Sequence, residues 1–246
     1  MKNKLNLLAI SIVSLSAIIV ALILKSAYLA RIQSNDTISV TGLGNKDFDS
    51  DLIVWSGTFN RINKDLKKAY AEIDQDRETI KKYLISKGIK EENIVFQSIN
   101  INREFNNEYD ANYNVRKSTF VGYNLSQSVT IESNEVDKVE AIARSITELI
   151  NQGIEFYSNS PQYFYTKLAE LKLEMIEAAT QDAYTRAKKI AENSGSKVYK
   201  LKKASMGVFQ IVAQNSAEDF TWGGAFNTDS RKKTASITVK LEYLIK

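Results

Sequence analysis

Residues 5–24 read LNLLAISIVSLSAIIVALIL, an apolar run that carries no charge, with Lys2 and Lys4 ahead of it and Lys25 closing it. At about 1.5 Å of rise per residue, a helix of roughly 20 such residues spans the ~30 Å hydrocarbon core of a bilayer. A cleaved leader carries a shorter apolar stretch, about 7–15 residues, so the run reads as a retained anchor. No polar face interrupts it, which sets a buried core helix aside. The division that follows is 1–25 for a cytoplasmic N-terminus and transmembrane anchor, 26–36 for a tether, and 37–246 for one α+β domain. Lys2, Lys4 and the α-amino group stand against Lys25 and Arg31, a slight bias toward a short inside N-terminus and a domain outside.

The residue types that are missing narrow the chemistry. The chain has no Cys and no His. Thiol nucleophiles, Cys/His zinc sites and histidine-based relays are therefore excluded. Basic and acidic residues number 33 and 29, for a net charge of +4, and no long basic run suits nucleic acid. Carboxylate pairs such as Glu174 with Glu177, or Asp74 with Asp76, are the one catalytic route left, and they read as ordinary helix charges. The carboxylates lack calcium-loop spacing, so no metal or cofactor is expected.

From Thr37 the pattern turns to short β-like segments, ISVTGLG (residues 38–44) and LIVWSGTF (52–59), which predict an opening hairpin. A helix is expected over about Lys64–Lys87, with apolar residues at three- and four-residue spacing and Gly88 as terminator. NIVFQSININ follows as a strand, and EFNNEYDANYNVRK, rich in Asn and Asp, reads as an exposed hairpin connection. In STFVGYNLSQSVTIE, Val121, Tyr123, Leu125, Val129 and Ile131 alternate with polar residues, the mark of a strand with one wet face. A second helix is expected over about Glu135–Asn151, capped by Asn134 and ended by Gly153. The longest, Thr166–Asn193, carries Ala179, Ala183, Ala187 and Ala191 at four-residue intervals, a row of small side chains that lets another element of the domain approach closely. The terminal segment TASITVKLEYLIK alternates most regularly. The element order resembles a degenerate duplication.

Five segments in this order, ISVTGLG, KGIKEENIVFQSININ, FVGYNLSQSVTI, GIEFYS and EAATQDAYTRAKKIAENSGSKVYKL, resemble the SIMPL domain family across the whole of the part that follows the anchor. The resemblance implies antiparallel sheet packed with about three helices, an extracytoplasmic setting, self-assembly and a loose link with stress tolerance. It brings no catalytic residues.

The candidate interface is aromatic. Phe220, Trp222 and Phe226 lie in the Gly-containing loop AEDFTWGGAF, either as a contact surface or folded back on the domain. Tyr163, Phe164 and Tyr165 follow Pro161, the single proline, and either rim a groove or pack the start of the long helix. Lys197, Lys200, Lys202 and Lys203 read as a solvated strand face. The expected function is a non-enzymatic, membrane-anchored protein that assembles with copies of itself into a ring, cage or other scaffold. The alternative is a binding module for a small ligand, peptide or envelope partner.

Overall fold

The computed structural model describes residues 2–33, 36–217 and 221–246, with side chains of the first helix described from Ser14 to Leu29. The first helix, α1, runs over Lys2–Gln33, so it continues past Lys25 through the segment expected to be the start of a tether. Among the described residues no helix is long and apolar enough to cross a membrane. The run 5–24 lies partly outside the side chains described.

The rest of the chain is α+β, built on two antiparallel sheets. In the first, β10 (Lys232–Ile245) is central, with β1 (Thr37–Asp49) on one edge and β8 (Val198–Met206) followed by β9 (Gln210–Ala213) on the other. Helix α4 (Leu168–Asn193) covers one face of it. In the second sheet, β2 (Leu52–Asn63) pairs along its length with β5 (Val115–Ser133). The short strands β6 (Phe156–Ser158) and β7 (Gln162–Phe164) flank β2. The far edge of β5 carries β3 (Ile94–Phe96) and β4 (Asn100–Tyr109). Helices α2 (Leu66–Ser86) and α3 (Val136–Ser145) pack on this second sheet.

The element order suggests two consecutive copies; the topology instead repeats a unit of strand, helix, interrupted edge strand and central strand, one copy within the other. Strand β2, helix α2, interrupted edge strand β3/β4 and central strand β5 repeat the order of β1, α4, β8/β9 and β10. The first unit is nested inside the second, between β1 and α4. Both long helices close alike: Ile89 N–H donates to Leu84 C=O beyond Gly88, and Ser196 N–H donates to Ala191 C=O beyond Gly195. These are the caps that the terminating glycines predict.

Each unit has its own core. Trp55, Phe59, Ile73, Ile80, Leu125 and Ile131 are fully buried in one, and Ala179, Ala183, Ala187 and Ala235 in the other. The alanine row of α4 faces inward, where it meets Gly42 and Gly44 of β1. A Cβ on Gly42 would lie 2.1 Å from Ala179 O and 2.7 Å from Ala183 Cβ. Two strand glycines and a row of helix alanines thus let α4 settle on the sheet at backbone contact.

Three expectations are corrected. ISVTGLG and LIVWSGTF do not form a hairpin: β1 and β2 belong to different sheets, and the chain turns between them at Ser50 and Asp51. Glycines that suit β1 to α4, together with a long register against the C-terminal strand, draw β1 away from its neighbour in sequence. The stretch EFNNEYDANYNVRK is mostly strand, with the connection reduced to residues 110–114, so β4 and β5 extend as a two-stranded arm. Asn134 does not cap α3: its amide donates to Asp51 O (2.8 Å) at the corner, and Glu135 stands at the cap instead. That helix also tightens into 3-10 turns over Ile146–Gln152.

Candidate functional site

The loop that follows β9 is tied down along its described part. Gln210, buried at the start of β9, donates through Nε2 to Thr221 O (2.8 Å), while its Oε1 accepts from Ala225 N–H (2.8 Å) and Thr221 N–H (3.2 Å). Ile211 N–H donates to Ala225 O (2.8 Å), and Asn227 N–H donates back to Ile211 O (2.9 Å). Backbone groups of the loop are therefore spent on the domain, as a folded-back loop requires. Trp222 nevertheless stands 100% exposed, and Phe226 51%. The Lys233 ammonium lies 5.8 Å from the Phe226 ring. The loop folds back, then, and leaves its tryptophan in solvent. Phe220 lies outside the described residues.

Trp222 forms one wall of a groove of about 430 Å³ whose other walls include Leu43, Met206, Val208, Ile237 and Thr238. Met206 and Val208 are more than two-fifths exposed, and Leu43 is the one large apolar residue that β1 presents away from α4. A concave, mainly apolar surface with an uncovered indole is the kind of place where an aromatic or aliphatic anchor is received.

Tyr163, Phe164 and Tyr165 are half-buried and join the two units. Tyr163 N–H donates to Thr228 O (2.7 Å), Phe164 O accepts from Asp51 N–H (3.1 Å), and Tyr165 meets Phe48 in a tilted ring contact with centroids 4.8 Å apart. Packing at the entry to α4 is therefore what the structure assigns them. Asp51 strengthens the same seam by accepting from Thr166 N–H (2.7 Å) and Thr166 Oγ1 (2.6 Å). Arg231 crosses to α3, where it donates to Asp137 (2.5 Å) and lies 3.6 Å from Glu140. That bond holds the Asp137 carboxyl below the usual range. A polar hollow of about 540 Å³ at this corner is lined by the same paired groups, Asp51, Asn134, Asp137 and Arg231 among them.

The carboxylates named from the sequence are dispersed. Asp76 is buried and held by Arg61, Asp74 pairs with Arg77, and Glu174 pairs with Lys46. Among the described residues no group of three His, Cys, Asp or Glu side chains is arranged to hold a metal ion. Strand β8 displays Lys200, Lys202 and Lys203 to solvent, with Lys202 near Glu242 (3.3 Å).

Two features escaped the sequence reading. The arm carries Ile101, Phe105, Tyr109, Tyr113 and Val115 at about half exposure or more. Ile101, Phe105 and Tyr109 fall at the same parity along β4, but Arg103 and Asn107 between them break the alternation that marks a strand in sequence. The other feature is Lys233, 2% exposed on β10, whose Nζ donates to Tyr163 O (2.5 Å). Burial pushes its pKa down, with Asp229 opposing. A lysine depressed in the folded state binds fewer protons there than in the unfolded chain, so stability rises with pH between the folded value and 10.5. The stability advantage of the wild type relative to Lys233→Met is therefore expected to grow as pH is raised from 7 toward that limit, followed by thermal unfolding at a series of pH values. A difference that stays flat would show that the amine keeps its proton in the folded protein.

A family model, SIMPL, described as a protein of unknown function (DUF541), matches residues 38–243. No curated protein matches the chain.

Proposed function

The chain belongs to the SIMPL family, and from that premise we propose that it is a non-enzymatic scaffold, anchored by its N-terminal helix and assembled from copies of itself on the outer face of a membrane. The observation that carries the reading is Trp222, wholly exposed on a loop whose backbone is bound to the domain. Such a side chain costs free energy in water and returns it when a partner covers it. The anchor is supported by an unbroken helix over Lys2–Gln33 that contains the uncharged run, with Leu15, Ile18, Ile19, Val20, Leu22, Ile23 and Leu24 all uncovered by the rest of the chain. Tethering in two dimensions raises the effective concentration of weak self-contacts, which is how a protein without catalytic groups acts by assembly. A part in envelope or oxidative stress tolerance is consistent with such a scaffold.

Sizing of the full chain in mild detergent tests this. A homo-oligomer is expected, and Trp222→Ser combined with Phe226→Ser is expected to weaken it by roughly tenfold to a hundredfold, the range for loss of interface aromatics. A clean monomer of the wild type at micromolar concentration would overturn the reading. The groove beside Trp222 favours one alternative, a module that binds a small ligand or peptide, and a stoichiometric second component recovered with monomeric protein would point there.

A further inference from the structure

The face of the first sheet that is turned away from α4 is basic at one end. Lys197, Lys200 and Lys203 are three residues apart, a spacing that would divide them between the two sides of a regular strand. The register of β8 against β10 slips twice, however, passing over Tyr199 and Lys202. Lys203 therefore stands opposite Glu242 and Lys200 opposite Leu244, while Lys197 and Lys246 exchange two backbone bonds (2.7 and 2.9 Å). Cross-strand partners share a face. Glu242 and Leu244 alternate with Leu241 and Tyr243, which belong to the core under α4, so the three lysines stand on the open side together with Lys240 and Lys246.

All five lysines are exposed. Against them stand Glu242, already met by Lys202 (3.3 Å), and Asp36 at the start of β1. The other ion pair close by joins Lys188 to Glu192 on α4, and among the described residues none uses these five lysines. The excess is local. Lys2, Lys4, Lys25 and Arg31 are the only charged side chains of residues 1–33, and the 33 basic residues less these four equal the 29 acidic ones, so the chain beyond α1 is neutral as a whole.

This end of the sheet is also where the anchor joins. Helix α1 ends at Gln33 and β1 begins at Thr37, and the chain between them reaches at most about 14 Å. Asp36 O accepts from Ile245 N–H (3.1 Å), which sets Lys246 and Lys197 one and two strand spacings away, within about 10 Å of the join. The second unit leaves from Ser50 and Asp51, at the opposite end of β1. The same face of a second copy would bring like charge, whereas anionic headgroups attract such a cluster. Tyr199, 59% exposed with the Lys246 ammonium 3.4 Å from its ring centroid, is a residue suited to the headgroup layer. We propose that this end of the open face, led by Lys197, Lys200 and Lys203, lies on the anionic phospholipid headgroups of the bilayer that holds the anchor. The contact rests on the anchoring part of the reading above, and it fixes which side of the domain is turned to the membrane.

Full-length protein is reconstituted in vesicles of phosphatidylcholine, with or without phosphatidylglycerol, and treated with an amine reagent that crosses bilayers, so the direction of insertion is immaterial. Modification of each lysine is followed by mass spectrometry. Lys197, Lys200 and Lys203 are expected to react at least about fivefold more slowly in the anionic vesicles, the gain from a single lysine at such a surface, and high salt is expected to restore the neutral rates. Lys67, Lys68 and Lys82 on α2 are expected to react alike in both. Lys197→Gln combined with Lys200→Gln, first shown to melt as the wild type does, is expected to remove most of the protection of Lys203. Equal rates in the two kinds of vesicle would overturn the lipid contact, and flotation of the protein with neutral vesicles would then leave the anchor standing. Equal rates from a protein that floats with neither kind would overturn both.

Discussion

Gly42→Val is expected to destabilise the protein by about 3 kcal/mol or more, at the upper end of overpacking substitutions. The reason is local and severe. A Cβ at residue 42 meets Ala179 O at 2.1 Å and Ala183 N at 2.5 Å, so the obstacle is helix backbone rather than a side chain that could turn aside. To admit valine, α4 would have to lift from β1. Lifting would expose the row Ala179, Ala183 and Ala187 and unseat Leu171 and Met175 from the same core. It would also stretch the bond from Leu43 N–H to Asp182 (2.9 Å), by which α4 caps a backbone donor of β1. That bond and the Arg186 guanidinium, the stronger influence, hold the Asp182 carboxyl below its ordinary range. Thr41→Val, on the opposite face of the same strand, is the control and is expected to stay within about 0.5 kcal/mol of wild type. Denaturant or thermal unfolding of the two variants, followed by circular dichroism, separates close packing from strand propensity. Equal stability of the two would show that α4 does not rest on Gly42.

Arg61→Met is expected to cost about 3 kcal/mol. Arg61 makes a two-pronged pair with Asp76, through Nε at 2.5 Å and one terminal nitrogen at 2.8 Å, and that nitrogen also donates to Gly153 O at 2.8 Å. Asp76 lies on the buried face of α2, its side chain 7% exposed, against 32% for Arg61. Removal of the guanidinium strands a carboxylate among apolar neighbours, and an unpaired buried charge costs more than the pair itself contributes. The partly wet arginine lets some water reach the site, which keeps the expected loss at the lower end of the 3–5 kcal/mol range for such breaks. The double variant Arg61→Met with Asp76→Leu is expected to recover most of the loss, because neither charge then remains to be solvated. A double-mutant cycle on denaturation midpoints measures this, and simple additivity would show that the two groups do not depend on one another.

Much of the secondary structure was legible because it follows from local rules. The three- and four-residue spacing of Ala69, Ile73, Ile80 and Leu84 turns one face of a helix inward, and those residues, with Asp76 among them, are the buried ones in α2. The alternation of Ala235, Ile237, Val239, Leu241 and Tyr243 likewise names the buried face of β10. Gly88, Gly153 and Gly195 close their helices with positive φ as expected. The arm was misread because the alternation is broken there, and Asn-rich polarity suggested a loop where hydrogen-bonded pairing makes a ribbon. At the candidate interface the sequence named Trp222 and Phe226, but it could not separate them from Tyr163, Phe164 and Tyr165. All are aromatics near turn residues, and only the hydrogen bonds of Gln210 on one side and of Asp51 and Thr228 on the other distinguish a displayed ring from a packed one.

The apolar run at the start marks the lasting boundary between what each level decided. By itself the sequence determined a helix-forming, uncharged N-terminal stretch, a domain without thiol or imidazole chemistry, the faces that helices and strands would bury, and membership of a family. Periodicity assigns a residue to a face and not to a partner, since a strand of period two fits any edge whose apolar side matches its own. The tertiary structure therefore decided the rest. It paired β1 with the C-terminal strand instead of its neighbour, nested one unit inside the other, placed the glycines of β1 under the alanines of α4, and left the arm tip and Trp222 exposed at separate places on the surface.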